Sequence, residues 1–268
     1  MKILLVLLTI PLWPADLNPK ILNLVGPHAH TVFGQNIERH QQSALGTFFP
    51  VLDSSRQSLS IKYFDPADSR ESELFLSIRE GAITPPLEAD SPERVLDSYT
   101  TMRGESSVLD EAAMLWLRED ARPAPLAYRV QQLAGMYDNW FVMLKPLNFA
   151  AGERGPSGPW PLKYRKDMVE MIEEVSGGIR FGTNIECRVQ AVMRSADDAK
   201  ALAALAKWLP GLIQLMPSSS PMAPLVDLAE NISTTTDGRV VTLSFQLPEE
   251  KVRELAGRLR ELNRVAVQ

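Results

Sequence analysis

The chain has 268 residues, of which 45% are hydrophobic and 23% are charged, and its formal net charge is −5. A chain of this size can bury one large core or two smaller ones. Lys and Arg are dispersed among more numerous acids, which argues against nucleic acid as a partner because phosphate binding needs a clustered basic face. The longest basic cluster, over 163–166, precedes several acids and indicates a solvated helix face.

The first 15 residues predict a signal peptide. Lys2 is followed by an apolar run over 3–10, and the segment ends with helix-breaking prolines and the small residue Ala15. The run is too short to cross a bilayer, which takes about 20 residues. We therefore expect cleavage near Ala15, a periplasmic or secreted protein, and no transmembrane span after cleavage. The alternative is a buried N-terminal strand.

Residues 16–147 are predicted to form an N-terminal α+β half. Proline and glycine bound a short helix over 18–25, and a strand follows over 31–37. Alternating runs centred on Ile61 and Leu76 predict two strands, and a continuous apolar run predicts a central strand over 140–144. The other elements expected here are a short strand at 108–109 and helices over 38–49, 91–102, 111–119 and 126–136.

Residues 148–162 are predicted to be a linker or a long loop. The segment contains three glycines and three prolines, and few of its side chains can pack in a core. An alternative for 155–160 is a mobile lid or a partner-binding motif that exposes the indole of Trp160.

Residues 163–268 are predicted to form the C-terminal half. It begins with an amphipathic helix over 163–175, for which Gly177 and Gly178 would form the C-terminal cap. A strand over 184–193, a helix from 196, a short helix over 222–230, a hairpin turning at Asp237 and Gly238, and a last helix after Pro248 follow.

The strand and helix on either side of Ser195 are predicted to pack as one unit. Apolar residues alternate with polar ones along the strand, and from Ala199 the apolar residues recur every three or four positions. Ser195 is placed to cap the helix with Asp198 three residues later, and Pro210 is expected to kink the helix or end it. The apolar residues of the strand are Ile185, Cys187, Val189, Ala191 and Met193.

The fold class predicted from these elements is α+β, with two related halves, each a mostly antiparallel sheet with helices packed on one face. Both halves begin with a helix, a glycine, a strand and a second helix. This shared order suggests an ancient duplication as a hypothesis, without support from residue identity.

Several runs resemble a set of uncharacterised exported proteins of the acidobacterial type. The matching runs are SGGIRFGTNIECRVQAVMRSADDAKALA, DEAAMLWL, YDNWFVMLKPL, TDGRVVTLSFQLPEE and, after the signal peptide, VGPHAHTVFGQNI. The resemblance covers most of the chain after residue 17 and departs most over 50–105, where a strand and helix pair is missing. It implies a fold and an exported location, and it brings no known activity or functional residue.

Three histidines, His28, His30 and His40, are the weak candidates for a metal site. Two histidines two residues apart can chelate from one side of a strand start, and His40 would complete a three-histidine zinc site. The competing interpretation places the first two in a polar Gly-Pro turn and His40 toward solvent. Glu38 is the nearest acid that could activate a zinc-bound water.

No catalytic residue and no cofactor are predicted. Cys187 lies on the apolar side of its strand and is interpreted as a core residue, and the glycines at 177, 178 and 182 precede a strand, unlike a phosphate loop. The preferred hypothesis is a non-enzymatic module at the cell envelope that binds an unknown protein or small ligand with its open sheet face or its Gly-Pro loop. A metal-dependent hydrolase using the three histidines is the alternative, and a purely structural role at the envelope stays open.

Overall fold

The computed structural model describes residues 17, 19–26, 28–42, 56–65, 70–79, 93–118, 124–144, 170–207, 231–248, 250–251 and 253–254. Within these ranges the protein is α+β, with one large antiparallel sheet and few helices. The predicted signal peptide over 1–15, the linker over 148–162 and the helix over 222–230 lie outside the described residues.

Ten strands of the described chain form the sheet, and every neighbouring pair is antiparallel. In the sheet they are ordered β4-β5-β3-β2-β1-β6-β7-β8-β10-β9. Their bounds are β1 (Ala29–Asn36), β2 (Gln57–Asp65), β3 (Arg70–Ile78), β4 (Glu93–Val95), β5 (Thr100–Gly104), β6 (Asn139–Leu144), β7 (Ile172–Phe181), β8 (Asn184–Met193), β9 (Ser233–Asp237) and β10 (Val240–Pro248).

Five helices of the described chain pack around this sheet. They are α1 (Pro19–Leu24), α2 (Ile37–Gln42), α3 (Ser106–Leu117), α4 (Pro125–Met136) and α5 (Ala196–Ala206). The cap predicted for α5 is confirmed, because the Ser195 hydroxyl accepts a hydrogen bond of 3.1 Å from the Asp198 N–H. In α2 the Asn36 side chain accepts in the same way from the Arg39 N–H at 3.0 Å.

We call the side of the sheet that carries α1, α3 and α4 the front face. Directly paired residues share a face, so Val32, Ile61 and Val142 form one fully buried front row. The three helices cover this row and its neighbours with residues such as Ile21, Leu109 and Leu133. The main core is therefore the front side of the N-terminal half.

The opposite side, which we call the back face, carries α5 over the C-terminal half. Ala199 and Ala203 of α5 pack against Met193 of β8 and Val241 of β10. Val241 pairs with Ala191, and both lie on the side opposite the front row. Helix α5 therefore covers the back face, whereas α4 covers the front face. The two halves thus place their helices on opposite faces of one sheet.

The two halves share this sheet through the pairing of β6 with β7, in which Trp140 lies opposite Gly178 and Val142 opposite Ser176. A separate sheet was predicted for each half, whereas the strands of both halves form one continuous sheet. The common origin of the halves stays a prediction.

None of the described helices combines the length and the apolar composition needed to cross a membrane.

The packing predicted for the strand and helix around Ser195 is only partly right. The half of β8 next to α5 packs against it, through Met193 and the neighbouring Ala191. Ile185 lies 4% exposed in a separate cluster with Phe181 and Leu247. The strand is about 30 Å long, so α5 reaches only one end of it.

Two predicted elements over 91–109 are wrong. The chain forms β4 and β5 where a helix over 91–102 was expected, because Asp97 turns it back by accepting from the N–H groups of Tyr99 and Thr100. The β-branched Thr100 and Thr101 then continue as a strand. Val108 and Leu109, expected in a strand, lie in the first turns of α3.

The helix predicted over 163–175 is wrong in its last residues, since residue 170 is helical and the strand begins at 172. Residues 172–175 begin β7, although their apolar spacing also fits a helical stripe. Gly177 and Gly178 are consequently strand residues and not a helix cap. A Cβ on Gly177 would lie 2.3 Å from the carbonyl oxygen of Arg188. Close approach of β8 therefore explains this glycine.

Candidate functional site

The front face of β7, β8 and β10 bears a concave site next to the carboxyl end of α4. A cavity of about 720 Å³ is lined there by Tyr137 of the α4 terminus, by three arginines, and by strand residues that include Ser233, Ser244 and Gln246. The three arginines are Arg39, Arg180 and Arg188. Most described pocket residues here are polar, whereas the same face in the N-terminal half is apolar core.

The strand pairing generates two polar rows in the cavity floor. In one row Gly178, Arg188 and Ser244 lie directly opposite one another, and Ser233 follows on β9. The next row is Arg180, Glu186 and Gln246. Because a strand repeats every two residues, all of these side chains belong to the front face.

Gly178 leaves room for the aromatic wall of the cavity. A Cβ at this position would lie 2.5 Å from Cγ of Tyr137 and 2.6 Å from the carbonyl oxygen of Asn139. The Tyr137 ring therefore occupies the volume that a side chain on β7 would fill. Burial raises the pKa of Tyr137, and the charges of Arg188 and Arg129 act in the opposite direction.

Two of the three cavity arginines are held by partners in the described chain. The Arg39 guanidinium donates to the carbonyl oxygens of Ala134 (2.9 Å) and Tyr137 (3.0 Å) and lies 3.2 Å from Asp138 Oδ1. A cation is favourable at this position, since the α4 carbonyls at the helix end have no intrahelical partner. Arg180 pairs with Glu186 on the adjacent strand.

Arg188 is the cavity arginine without an ion pair or side-chain hydrogen bond in the described chain. Its row neighbour Ser244 shares a hydrogen bond of 2.8 Å with Ser233, so these hydroxyls do not occupy the guanidinium. Five N–H donors on an exposed guanidinium therefore face a cavity of ligand size.

Asp138 is a buried acid that holds Arg39 of the cavity in place. Its side chain is only 3% exposed, and Oδ2 accepts a hydrogen bond of 2.6 Å from the Phe181 N–H. Burial raises the pKa of Asp138, and this effect outweighs the Phe181 hydrogen bond and the charge of Arg39, which lower it. The carboxyl group connects α2, β6 and β7 at one corner of the site.

Arg129 fixes α4 over the strands that form the cavity. Its guanidinium donates to Ser176 Oγ (2.8 Å), Gln190 Oε1 (2.7 Å) and Glu174 Oε1 (3.1 Å). Ser176 is fully buried, so Arg129 supplies a hydrogen bond to a hydroxyl removed from water. One side chain thus ties α4 to β7 and β8.

The structure does not bring the three candidate histidines together. His28 is exposed in the turn before β1, and His30 on β1 bonds the Thr31 hydroxyl and lies 3.8 Å from Glu71. His40 is at the other end of β1, about 20 Å away along the strand, and contacts the Phe181 ring edge to face. The described residues contain no group of three or more metal-binding side chains.

His40 and Glu38 also differ from the predicted roles. His40, expected to face solvent, is 1% exposed, because α2 turns it against Phe181. Glu38, considered as an activator of zinc-bound water, forms an ion pair of 2.6 Å with Arg56. Burial lowers the pKa of His30, the charge of Glu71 raises it, and that of Lys62 lowers it further.

Cys187 of β8 is among the described residues that line the cavity. It is half-buried, and burial raises the pKa of its thiol to about 11. A reactive cysteine has a lowered pKa and a nearby cation that stabilises the thiolate. The raised pKa does not favour a reactive thiol, and the interpretation of Cys187 as a core residue stays a prediction, since Cys187 is not part of the described core clusters.

Sequence reasoning missed the arginine cavity. Its charged residues come from α2, β7 and β8, so no local spacing reveals them. One signal was present in the sequence, because Glu186, Arg188 and Gln190 alternate with the apolar residues of β8 and predict a polar face. The alternation does not show what lies beside that face, and in the structure the carboxyl end of α4 makes it concave.

Comparisons with known proteins give one structural similarity. No protein-family model and no curated protein sequence matches the chain. The structure of crystal form I of TP0453 is similar over 92% of this chain and 100% of that chain, with 9% sequence identity and a TM-score of 0.42. A similarity at this level carries no argument about function.

Proposed function

We propose that the protein is an exported, non-enzymatic binding module that takes a small anionic ligand in the cavity on the front face of its C-terminal half. The observation that carries the proposal is the exposed guanidinium of Arg188, which has no counter-ion in the described chain and lies in the cavity floor. A carboxylate or phosphate matches the planar donor set of a guanidinium.

The surroundings of Arg188 support an anion in this cavity. Arg39 and Arg180 at its rim are paired with Asp138 and Glu186, so the charge of Arg188 is the one left uncompensated among the described lining residues. Ser244 and Gln246 add neutral groups that can donate hydrogen bonds to ligand oxygens. The excess of cationic over anionic groups raises the local concentration of anions.

Binding of two anionic probes tests this function. We expect isothermal titration calorimetry to detect citrate or inorganic phosphate at low ionic strength, and Arg188→Gln to weaken that binding about 10- to 100-fold, since a charge-assisted hydrogen bond contributes about 1.5–3 kcal/mol. Arg103→Gln is the matched control, because Arg103 is exposed on the back face. Unchanged binding by Arg188→Gln, or binding of neither probe, would contradict the proposal.

Export to the periplasm or the medium is part of the proposal and depends on the sequence of residues 1–15. The run after Lys2 has the length and composition of a signal-peptide core. Expression of the full chain in a bacterium with mass spectrometry of the product tests it. We expect a mature protein that starts near residue 16, and a cytoplasmic, uncut protein from Leu5→Arg with Leu7→Arg. An uncut wild-type chain would reject export.

The hydrolase hypothesis gains no support from the described geometry. Its three histidines lie at both ends of β1, and Glu38 is paired with Arg56. A catalytic zinc site needs three protein ligands around one ion. The binding function is therefore the one that we propose.

A further inference from the structure

The back face of the N-terminal half bears a row of phenylalanines that the cavity does not use. Phe33 on β1 lies directly opposite Phe141 on β6, with ring centroids 6.2 Å apart. On the other side Phe33 pairs with Ser60 on β2, which pairs with Phe75 on β3. Phe33 is 41% exposed and Phe75 is 48% exposed, so two large rings of the row are open to solvent.

A row of amide and hydroxyl side chains runs parallel to the aromatic row. Two residues further along each strand, Ser58, Gln35 and Asn139 lie directly opposite one another on the same face. The two rows are about 7 Å apart, since a strand rises about 3.3 Å per residue. In the described chain these three side chains form no hydrogen bond.

The surface between the two rows is concave and uncharged. A cavity of about 560 Å³ lies over it and is lined by both rows together with Ile179 and Val189. Its described lining residues include no Lys, Arg, Asp or Glu. Charged groups lie only beside this lining, namely Arg103 opposite Phe75 and Glu73, which accepts a hydrogen bond from Ser60. The lining itself therefore favours a neutral ligand, since a charge placed on it would lose hydration.

We infer that this back-face surface, which we call the aromatic platform, binds a neutral saccharide chain that runs across the strands. A sugar ring has an apolar side of C–H groups and a rim of hydroxyls. The C–H side matches the electron-rich faces of Phe33 and Phe141, and the rim reaches amides and hydroxyls one row away. Apolar ring faces combined with a few placed polar groups are typical of ligand sites.

The polar row favours a saccharide over a purely apolar partner. An apolar partner that covered the platform would remove Gln35 and Ser58 from water and leave their donors and acceptors unmatched. A saccharide covers the same rings while its hydroxyls act as both donors and acceptors for these side chains. The spacing of Phe75 and Phe33, two strands or about 10 Å apart, also suits an extended ligand more than a single ring.

Titration of the full chain with three neutral hexasaccharides tests the inference. The probes are the β-1,4-linked glucose, β-1,4-linked N-acetylglucosamine and α-1,4-linked glucose hexamers, followed by calorimetry. We expect at least one to bind, with affinity lowered at least 10-fold by Phe33→Ala and about 5-fold by Gln35→Ala. Tyr128→Ala removes an exposed aromatic ring from α4, away from the platform, and should change affinity less than 2-fold.

Arg188→Gln separates this site from the anion cavity, because it should leave saccharide binding unchanged whether or not citrate binds. Circular dichroism melting of each variant confirms that it is folded. The inference is overturned if no hexasaccharide binds or if Phe33→Ala binds as tightly as the wild type. Loss of affinity in Phe33→Ala alone, with Gln35→Ala unaffected, would overturn the assignment of the polar row to the sugar hydroxyls.

Discussion

The two faces of the sheet differ in chemistry although the same strands build both. On β8, Arg188 points to the cavity on the front face, while its neighbours Cys187 and Val189 face the back. Among the described residues, helices cover the front face in the N-terminal half, whereas in the C-terminal half this face is charged and no described helix covers it. On the back face, α5 covers the C-terminal half, and the N-terminal half exposes the aromatic platform, whose described lining residues are uncharged. A period of two residues therefore lets one sheet carry two unrelated surfaces, provided that its register holds.

Gly177→Ala should break this register with the largest effect. The added Cβ would meet the backbone of Arg188 at 2.3 Å and of Val189 at 2.8 Å, and backbone atoms cannot move aside as a side chain does. We expect a loss of about 3 kcal/mol in the free energy of unfolding, measured by urea titration. Gly182→Ala, whose nearest contact is at 3.7 Å, is the control and should be neutral. A loss below about 1 kcal/mol would show that β7 and β8 are not this close.

Arg129→Met should have the second-largest effect, because it weakens the attachment of α4 to the front face. The substitution keeps an apolar stem but leaves buried Ser176 and the carboxylate of Glu174 without their guanidinium. We expect a loss of about 2–3 kcal/mol in the free energy of unfolding. Gln132→Met on the same helix is the control, because Gln132 is exposed and only accepts from Arg129 at 3.3 Å. Equal stability of both variants would mean that Arg129 does not hold α4 on the sheet.

Asp138→Asn should change the pH dependence of stability by a smaller amount. The folded-state pKa of Asp138 is raised above its ordinary value of 3.8, mainly by burial. Its contribution to stability is therefore full below pH 3.8 and is lost as pH rises through the folded-state pKa. In urea unfolding at several pH values, the free energy of unfolding of the Asn variant relative to the wild type should increase from pH 4 to pH 7. A gain in the opposite direction would contradict the raised pKa.

Alkylation of Cys187 should show the smallest effect. At pH 8 the ionised fraction of a thiol of pKa about 11 is about 100-fold smaller than that of a thiol of pKa 9.0, the ordinary value. A more basic thiolate is also a better nucleophile, which raises the rate per thiolate about 10-fold and offsets part of this loss. Iodoacetamide should thus react about 10-fold more slowly with the folded chain than with the urea-unfolded chain. A faster reaction of the folded chain would identify an activated cysteine on the back face.

Local patterns predicted those elements whose signals are local. Asp237 and Gly238 predicted the hairpin that the structure shows, with Gly238 at φ 54°. Ser195 predicted the start of α5, and alternation around Ile61 predicted β2. Each signal needs only a few consecutive residues.

Patterns failed where tertiary contacts choose between helix and strand. The apolar spacing before Gly177 fits both, and pairing with β6 and β8 selects the strand. The sites are less predictable still, because Arg39 and Arg188 are brought to one cavity by the order of strands in the sheet. Phe33, Phe75 and Phe141 likewise come from three strands and align only in the observed register.

Calorimetry with citrate on two variants tests most directly whether the faces act separately. Arg188→Gln alters the cavity alone and Phe33→Ala alters the aromatic platform alone. We predict that citrate binding falls about 10- to 100-fold in the first variant and stays at the wild-type level in the second. Equal citrate binding by Arg188→Gln and the wild type, or loss of citrate binding in Phe33→Ala, would contradict the account.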